Sequence, residues 1–466
     1  MDEFKLLDAA KFNTFHRKLV FTTGVGAFTD LYNTIIYSAA VFSIIFYYHT
    51  NLVFYGFVGF LFFIGGVIGA LTWGIIADLI GRRISFTLDL ALMAIFAVLS
   101  GIIATPLALA VFRFVIGFAL GGDYPSALTM LSEFSPSKIR GRLLTLFWTL
   151  FAAGGFTAGI VGYFTLIHFG VSGFQMRIIL ASGAVPAIIG IATRLWIPES
   201  PRWLVKKKKM KMASKSLAKA TGLEISERYF EGIEIGEHKR ANSIKLFFNR
   251  RNAYISLALA VVVLLPNFIP TASASFSPYL FSIVGISKIK SVLYLSFLFE
   301  LPLMIFGIIT AYLVEKLGRL KTMTINAIII GIAAIAMSFL LTNSIGLIVT
   351  FVIAAGTSIM YFGIAYSLGA ELYPTQIRGA GEGYNTSLSR LSGALAYLLT
   401  PFLVALYGES GLWKIYGALS IIGILIAFFM LRTHMTVEGR TLEQISETSA
   451  VKAEEGEMGN ANKGRK

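Results

Sequence analysis

Charged side chains interrupt several long apolar stretches of this 466-residue chain. Asp30, Arg113 and Arg390 each stand within a run of apolar residues that is long enough to cross a membrane. A charge at the centre of a lipid-spanning helix costs about 2.5–3.5 kcal/mol on insertion scales, so such a residue is expected to be functional. A carboxylate there can bind a proton, and a guanidinium offers a fixed fork of donors to an anion or a hydroxyl group.

The positions of Asp30 and Arg390 place both near the middle of the membrane. Asp30 follows Lys18 by twelve residues, and Arg390 follows Arg378 by twelve, where each basic residue is expected at the membrane surface. At a rise of 1.5 Å per residue, twelve residues of helix cover about 18 Å. Binding sites for small molecules and ions in membrane carriers lie at this depth.

Twelve apolar segments must position these charges, and each can cross the hydrocarbon core as a helix of about 20 residues. We number them spans 1 to 12. They cover residues 20–46, 53–79, 84–104, 106–131, 142–167, 177–197, 253–283, 291–313, 321–342, 346–370, 380–407 and 411–432. The alternating pattern of a membrane β-barrel is missing. The predicted fold class is therefore an all-α membrane protein with 12 transmembrane helices.

The composition excludes other classes of protein. Hydrophobic residues make up 56% of the chain and charged residues 14%, whereas soluble proteins carry about 25% charged residues, so a soluble enzyme is excluded. The chain has no cysteine, and its five histidines are scattered without metal-ligand spacing. We therefore expect no metal site.

The net charge of +15 comes partly from a basic tract at residues 202–219, between spans 6 and 7. The tract lies between apolar segments and carries no pattern of aromatic residues for base stacking. Polybasic segments beside a membrane bind anionic lipid. We therefore predict that this tract contacts membrane lipid and that the protein binds no nucleic acid.

Lysine and arginine are distributed unequally over the two sides of the predicted helices. With the N-terminus inside, 34 of the 40 lie in cytoplasmic segments and span ends, four lie in outer loops, and Arg113 and Arg390 lie deep inside spans. Cytoplasmic loops carry such an excess of positive charge. The sequence therefore predicts a multi-pass protein of the cell membrane with both termini in the cytoplasm.

Two motifs each occur twice at nearly the same separation. The motif at residues 78–83 returns at 315–319, with an offset of 237 residues, and the motif at 133–141 returns at 371–379, with an offset of 238. Coincident offsets indicate that the two halves are parallel copies. We therefore predict two six-helix bundles at residues 1–197 and 252–432, with a cytoplasmic linker at 198–251 and a cytoplasmic tail at 433–466.

The repeated motifs suit a cytoplasmic gate. The motif at residues 78–83 and its copy at 315–319 each hold an acid, a glycine that permits a tight turn between two helix ends, and an arginine that can pair with an acid. Pairs at the rim of a carrier can form in one conformation and break in another. The predicted gate residues are Asp78, Gly81, Arg82, Arg83, Glu133, Arg140, Glu315, Gly318, Arg319, Glu371 and Arg378.

Over nearly its whole length the sequence resembles a major facilitator superfamily transporter. Residues 198–204 and 437–443 resemble the signatures of the sugar-porter branch, whereas residues 113–125 and 28–32 are similar to the phosphate:proton symporter branch. The resemblance implies a secondary transporter that works by alternating access and is no enzyme. It further implies a proton as coupling ion and no other cofactor.

For proton coupling the sequence favours Asp30, with Arg113 as its partner. In the proton-coupled branches that this chain resembles, an aspartate in span 1 and an arginine in span 4 hold these positions and this role. Alternating access that breaks and reforms the pair would load and release a proton. The alternative is a permanent structural salt bridge between spans 1 and 4.

Arg390 is the predicted substrate-facing residue, and its alternative is an ion pair with Glu300 or Asp123. Further substrate-binding candidates are Asp123, Tyr124, Glu300, Tyr361 and Asn385. Where the phosphate branch has a glutamine in span 5 and an asparagine in span 10, this chain has phenylalanine. This departure favours a small polar metabolite, an organic anion or a sugar, over phosphate, which stays open.

Proton-coupled uptake by a monomer is the function that the sequence predicts, and three alternatives stay open. A facilitative uniporter or a proton-antiport exporter would keep the same fold. A sensor that resembles a transporter would bind substrate without moving it, and it usually signals through a long cytoplasmic extension, whereas the predicted tail is short.

Overall fold

The computed structural model describes residues 13–103, 105–134, 140–230, 246–317, 319–373 and 378–431. Within these ranges the chain is helical apart from short turns and contains no β-strand. In this described part, nine helices are long and apolar enough to cross a membrane, and a tenth span results if a helix pair bent by 52° counts as one.

The helices are numbered in chain order. The first half contains α1 (Thr14–Ala39), α2 (Val41–Tyr47), α3 (Leu52–Ile80), α4 (Arg82–Ile102), α5 (Pro106–Phe134), α6 (Arg140–Phe169), α7 (Gly173–Ser182) and α8 (Ala184–Arg194). Two short helices, α9 (Pro201–Lys206) and α10 (Met210–Thr221), and a 3₁₀ turn (Glu227–Phe230) follow. The second half contains α11 (Arg250–Leu264), α12 (Phe268–Ile283), α13 (Lys288–Tyr294), a π-helical turn (Leu295–Glu300), α14 (Leu301–Leu317), α15 (Arg319–Phe339), α16 (Ser344–Glu371) and α17 (Arg378–Leu431).

These helices are consistent with twelve spans because several spans contain a break. Helices α1 and α2 form span 1, α7 and α8 form span 6, and α11 and α12 form span 7. Span 8 runs from α13 through the π-helical turn into α14. Helix α17 covers spans 11 and 12, since Gly408 within it has a non-helical backbone with φ of 66°. The all-α membrane fold predicted from the sequence is confirmed.

The break in span 7 has a local cause. Pro266 lies between α11 and α12, where a proline removes a backbone donor and clashes with the preceding turn. Pro278 is tolerated inside α12. The break at Pro266 separates the two parts of span 7.

We call the side of the protein on which α1 begins the N-terminal face, and the other side the opposite face. At the opposite face, side chains cap spans 2, 6, 8 and 10. Asn51, Ser172, Ser287 and Asn343 each accept a hydrogen bond from the backbone N–H three residues later. Such caps satisfy a donor that has no partner within the helix, and replacing one with alanine typically costs about 1 kcal/mol.

The two halves touch along a few pairs of spans. Span 2 packs against span 11, span 5 against span 8, and span 1 against the second part of span 7. One apolar core runs through both halves, and a second one joins α1 to the short helices α9 and α10 at the N-terminal face. The domain boundaries at residues 197, 251 and 432 stay a prediction.

Candidate functional site

An ion pair between Asp30 and Arg390 joins the two halves at mid-depth. Nη2 of Arg390 lies 2.5 Å from Oδ2 of Asp30, and Nη1 lies 3.5 Å from Oδ1. Asp30 is 1% exposed and Arg390 is 6% exposed. Both groups are therefore out of water, and removing either partner would leave a buried charge without compensation.

The surroundings of this pair are small or aromatic. The aliphatic part of Arg390 passes Gly66 of span 2, where a Cβ would lie 3.2 Å from its Cδ. The guanidinium lies 6.0 Å from the ring centre of Phe63. Asn267, next to the kink in span 7, donates from its amide to the carbonyl of Ser389 and so holds the backbone beside Arg390.

Arg113 has other contacts than the sequence predicted. In the described part of the chain the recorded ion pair of Asp30 is with Arg390, so the predicted Asp30–Arg113 pair is absent from this conformation. Arg113 donates to the carbonyl of Asn33 at 3.0 Å. Its guanidinium stacks between the rings of Tyr37 and Phe62, at 4.4 and 4.3 Å from their centres.

The packing of the spans explains why Asp30 pairs with Arg390 and not with Arg113. The packing of span 11 on span 2 brings Arg390 up to Asp30, whereas Arg113 contacts span 1 about one turn further along, at Asn33. Two aromatic faces and one carbonyl stabilise a guanidinium that lacks an ion-pair partner among the described residues. The coupling role of Asp30 and Arg113 stays a prediction.

Asp123 belongs to a buried ionic cluster of the first half. Arg194 of span 6 donates to Asp123 of span 4 and, at 2.6 Å, to Asp89 of span 3. It also donates to the carbonyl of Phe86, and its guanidinium lies on the ring of that residue. The predicted substrate role of Asp123 has no support in this geometry, because its carboxylate is held by Arg194.

The sequence pattern did not predict this cluster. Arg194 was counted among the cytoplasmic span ends, and Asp89 was assigned to neither the proton site nor the substrate site. The available signal was that all three charges lie within apolar helices, so each needed a partner. Which charge met which depended on the packing of spans 3, 4 and 6.

Glu300 ends the π-helical turn of span 8 and is fully buried. Neither of its carboxylate oxygens has a hydrogen-bond partner among the described residues. The carboxylate packs against Gly155 of span 5, where a Cβ would lie 2.5 Å from its Cδ. The alternative in which Arg390 pairs with Glu300 or Asp123 is therefore wrong for this conformation.

The remaining substrate candidates lie in the second half, except one. Tyr361 donates its hydroxyl to the carbonyl of Val262, and Asn385 donates its amide to the carbonyl of Ala365 at 2.7 Å. Both contacts join helices within the same half, which is what a packing role requires. The side chain of Tyr124 lies outside the described residues.

A contact between the two halves towards the opposite face was also not predicted from the sequence. Ser38 and Tyr55 both donate to the carbonyl of Ser275, each at 2.9 Å. The rings of Tyr37 and Tyr55 stack with their centres 4.5 Å apart. Spans 1 and 2 of the first half are thereby joined to span 7 of the second half.

The turn between spans 2 and 3 confirms one prediction at the N-terminal face. Gly81 has φ of 105°, a region that side chains disfavour, so glycine is required there. The carboxylate of Glu199 accepts hydrogen bonds from the backbone N–H groups of Arg82, Arg83 and Ser200 at 3.0 to 3.1 Å. It thus occupies the start of α4, where the helix dipole favours an anion.

Burial raises the pKa of Glu199 above its ordinary value, and the three backbone N–H donors oppose this shift. The predicted gate therefore contains an acid from the 198–204 segment that the repeat did not reveal. The other predicted gate side chains lie outside the described residues: Asp78, Glu133, Arg140, Glu315, Gly318, Arg319, Glu371 and Arg378.

Comparison with known proteins assigns a family to this arrangement. The sequence profile of the "Sugar (and other) transporter" family matches residues 19–448. The chain belongs to this family. The membership that the sequence motifs suggested is confirmed, and the protein is a transporter and not an enzyme.

Relatives of this transporter are named for different substrates. It is 26% identical to the niacin transporter NiaP of Acinetobacter baylyi (strain ATCC 33305 / BD413 / ADP1), over 96% of this chain and 100% of NiaP. It is also 26% identical to the low affinity inorganic phosphate transporter 5 of Petunia hybrida, over 94% of this chain and 93% of that protein. The family and these relatives make it a transporter of sugars or other metabolites.

A solved structure shares the fold. The major facilitator superfamily proton:xylose symporter XylE of E. coli, bound to 6-bromo-6-deoxy-D-glucose, superposes with a TM-score of 0.77 at 20% identity. The match covers 93% of this chain and 99% of XylE. The transporter therefore has the major facilitator fold.

Proposed function

We propose that this transporter is a proton-coupled symporter of a small organic anion, in which Asp30 binds the proton and Arg390 binds the anion. The observation that carries the proposal is the buried Asp30–Arg390 ion pair between the two halves. A pair in this position must separate when the halves part in alternating access. Each partner then needs a substitute for the charge that it loses.

The two substitutes are the coupled solutes. A proton from water adds to a carboxylate oxygen of Asp30 and leaves it neutral, which frees the guanidinium of Arg390. A carboxylate of the substrate then takes the place of Asp30 on the same fork of donors. When the proton leaves, Asp30 competes for Arg390 and displaces the anion. Proton and anion therefore bind and leave together.

Three features favour an organic anion. The site holds one buried guanidinium that already binds a carboxylate, and Phe63 lies beside it. A relative over nearly the full chain is named for niacin, whose acid form is an aromatic carboxylate. Phosphate is the second candidate, because a relative of equal identity is named for it and a guanidinium also binds phosphate.

The distribution of lysine and arginine supports an orientation in the cell membrane and a direction of transport. The excess of lysine and arginine in the predicted cytoplasmic segments supports an N-terminal face in the cytoplasm. Uptake across the cell membrane then follows the usual inward proton gradient. The proposed partners are the anion, the proton and membrane lipid, and the proposed carrier is a monomer.

The test is uptake of labelled nicotinate, phosphate and xylose into proteoliposomes with an imposed inward proton gradient. We expect nicotinate to accumulate above its outside concentration, and a protonophore to abolish the accumulation. The Asp30→Asn variant should lose accumulation but keep nicotinate exchange between the two sides. Asp123→Asn is the matched control, since Asp123 lies in the cluster within one half.

Four outcomes would contradict the proposal. Accumulation that survives in Asp30→Asn would remove the proton role of Asp30. Uptake that equilibrates and ignores the protonophore would identify a facilitative uniporter. Efflux of nicotinate driven by the inward proton gradient would identify an antiport exporter, and binding without flux would identify a sensor.

A further inference from the structure

Span 8 meets span 5 along a row of glycines. Gly155, Gly159 and Gly162 of span 5 face Glu300, Ser296 and Val292 of span 8, respectively, where a Cβ on any of the three glycines would contact the facing side chain. The hydroxyl of Ser296 donates to the carbonyl of Phe156. Span 5 belongs to the first half and span 8 to the second, so the halves are in contact along this row.

Glu300 lies in this contact, and none of the described residues compensates a charge on it. It is 0% exposed, and both carboxylate oxygens lack a hydrogen-bond partner among the described residues. The π-helical turn that ends at Glu300 widens span 8 at this point, and such turns are frequent at functional sites. An isolated carboxylate cannot stay ionised in such an environment and takes up a proton instead.

Among the described side chains, no neighbouring titratable group provides a partner. Spans 5, 7 and 10 pack on the π-helical turn. Tyr361 of span 10 donates to Val262. The other titratable groups on these elements, and on span 8 itself, among the described side chains form no recorded bond with Glu300: Tyr163, His168, Arg250, Arg251, Tyr254, Tyr279, Lys288, Lys290, Tyr294 and Lys316.

We infer that Glu300 is a proton-binding site that must be occupied for span 8 to close on span 5. This inference rests on the proposed alternating access but concerns a second proton, separate from the coupling proton on Asp30. When the halves part, water reaches the carboxyl group and it can ionise. When they close, one proton from water adds to a carboxylate oxygen.

There is no net transport of this second proton. The loaded carrier and the empty carrier both need it to close, so it crosses once in each direction during a cycle. It acts on the rate instead. Because closing binds one proton, the equilibrium constant for closing falls by up to tenfold for each pH unit in which Glu300 is ionised in the open state.

The test is nicotinate exchange between the two sides of proteoliposomes that have the same pH inside and outside. From about pH 6 to about pH 9, where an exposed glutamate is ionised, wild-type exchange should fall by up to tenfold per pH unit. Glu300→Gln keeps the shape of the side chain and cannot ionise, so its exchange should lose the part of the decrease that comes from Glu300 and fall less steeply with pH than wild-type exchange. Glu300→Met is a second neutral variant in case Glu300→Gln is not recovered.

Asp123→Asn is the matched control because Asp123 lies in the cluster within the first half, so its exchange should keep the wild-type decrease with pH. A Glu300→Gln or Glu300→Met protein that keeps this decrease would overturn the inference. So would wild-type exchange that does not change with pH. Failure of the proposed function has a different signature, since it removes the proton-driven accumulation in the wild type.

A second measurement needs no substrate. Infrared difference spectra of the purified protein at about pH 7 should show the C=O band of a neutral carboxylic acid, because an ordinary glutamate is ionised there. The band should lose the Glu300 component in Glu300→Gln and keep it in Asp30→Asn. An unchanged band in Glu300→Gln would overturn the inference, as would a Glu300 component that disappears on adding sodium, which would identify a metal cation site.

Discussion

The two buried ionic groups of this transporter use the same chemistry in different places. Arg194 holds Asp89 and Asp123, and all three lie in spans of the first half. Arg390 holds Asp30 across the contact between the halves. In the proposed alternating access, rocking of the halves would leave the first group intact and separate the second. Under this proposal, the location of an ion pair relative to the moving contact decides whether it serves structure or transport.

The Arg194 cluster and the Asp30–Arg390 pair also differ in the balance of their charges. The cluster of Arg194 has two carboxylates for one guanidinium, and Oδ2 of each aspartate lacks a hydrogen-bond partner among the described residues. The pair of Asp30 and Arg390 is neutral as it stands. A pair with balanced charges can exchange one partner for a substrate anion once a proton neutralises the other, whereas the cluster offers no such exchange.

The largest effect is expected from breaking the cluster. Arg194→Met leaves the buried carboxylates of Asp89 and Asp123 without their cation, which costs about 3–5 kcal/mol for a buried pair. We expect little folded protein, measured as the yield of the monodisperse peak and as the melting temperature in detergent. The triple variant Asp89→Asn, Asp123→Asn, Arg194→Met should regain most of the yield. A single variant that melts like the wild type would contradict the structural role.

Breaking the pair between the halves should affect transport more than folding. Arg390→Gln removes the donor fork for the anion, and a charged hydrogen bond is worth about 1.5–3 kcal/mol, which corresponds to roughly 10- to 100-fold weaker nicotinate binding. Calorimetry on the purified protein measures this loss. The double variant Asp30→Asn, Arg390→Gln should melt at a higher temperature than Arg390→Gln alone without regaining binding.

If that double variant bound nicotinate as tightly as the wild type, Arg390 would not be the anion site. If Arg390→Gln were as poorly folded as Arg194→Met, the distinction between the two groups would fail.

A smaller effect is expected at Arg113. Arg113→Lys keeps the charge but loses the flat guanidinium between Tyr37 and Phe62, and a desolvated cation–π contact is worth about 2 kcal/mol. We expect a moderately lower melting temperature, with most of the protein folded. Arg82→Lys is a control at the N-terminal face, where Glu199 binds the backbone N–H group of residue 82. An Arg113→Lys protein with unchanged stability would argue against the stacked arrangement.

The smallest effect concerns Glu199 and the pH. Because burial raises the pKa of its carboxyl group, the folded protein binds more protons than the unfolded chain between the ordinary pKa and the raised one. The contribution of Glu199 to stability therefore falls as the pH rises through this window. Glu199→Gln should remove this part of the pH dependence of the melting temperature, which begins above the ordinary glutamate pKa of about 4.3. A steeper dependence in the variant would contradict the sign.

Several features of the fold could be predicted from residues alone. The apolar segments predicted the helices, since a lipid-spanning chain must satisfy its backbone hydrogen bonds within each segment. Gly81 was placed in a tight turn because its motif joins two helix ends. Pro266 accounts for the break in span 7, because a proline removes a backbone donor. Each of these predictions depends on interactions within a few residues.

Partners among the buried charges could not be predicted in this way. The residue pattern predicted that Asp30, Arg113 and Arg390 lie within the membrane. The predicted pair of Asp30 with Arg113 is wrong for this conformation, in which Asp30 pairs with Arg390. The ion cluster of Arg194 and the isolated Glu300 were equally out of reach. A helix carries side chains on all sides, and the sequence does not state which side faces which neighbour.

The sequence by itself therefore determined that this chain is a helical membrane transporter with a few charges at mid-depth, because hydropathy and the cost of burying charge act on each segment separately. Only the tertiary structure decided that Asp30 meets Arg390 across the two halves, that Asp123 meets Arg194 within one half, and that Glu300 meets a glycine. Those choices depend on how the spans pack side by side, where contacts join residues up to 360 positions apart.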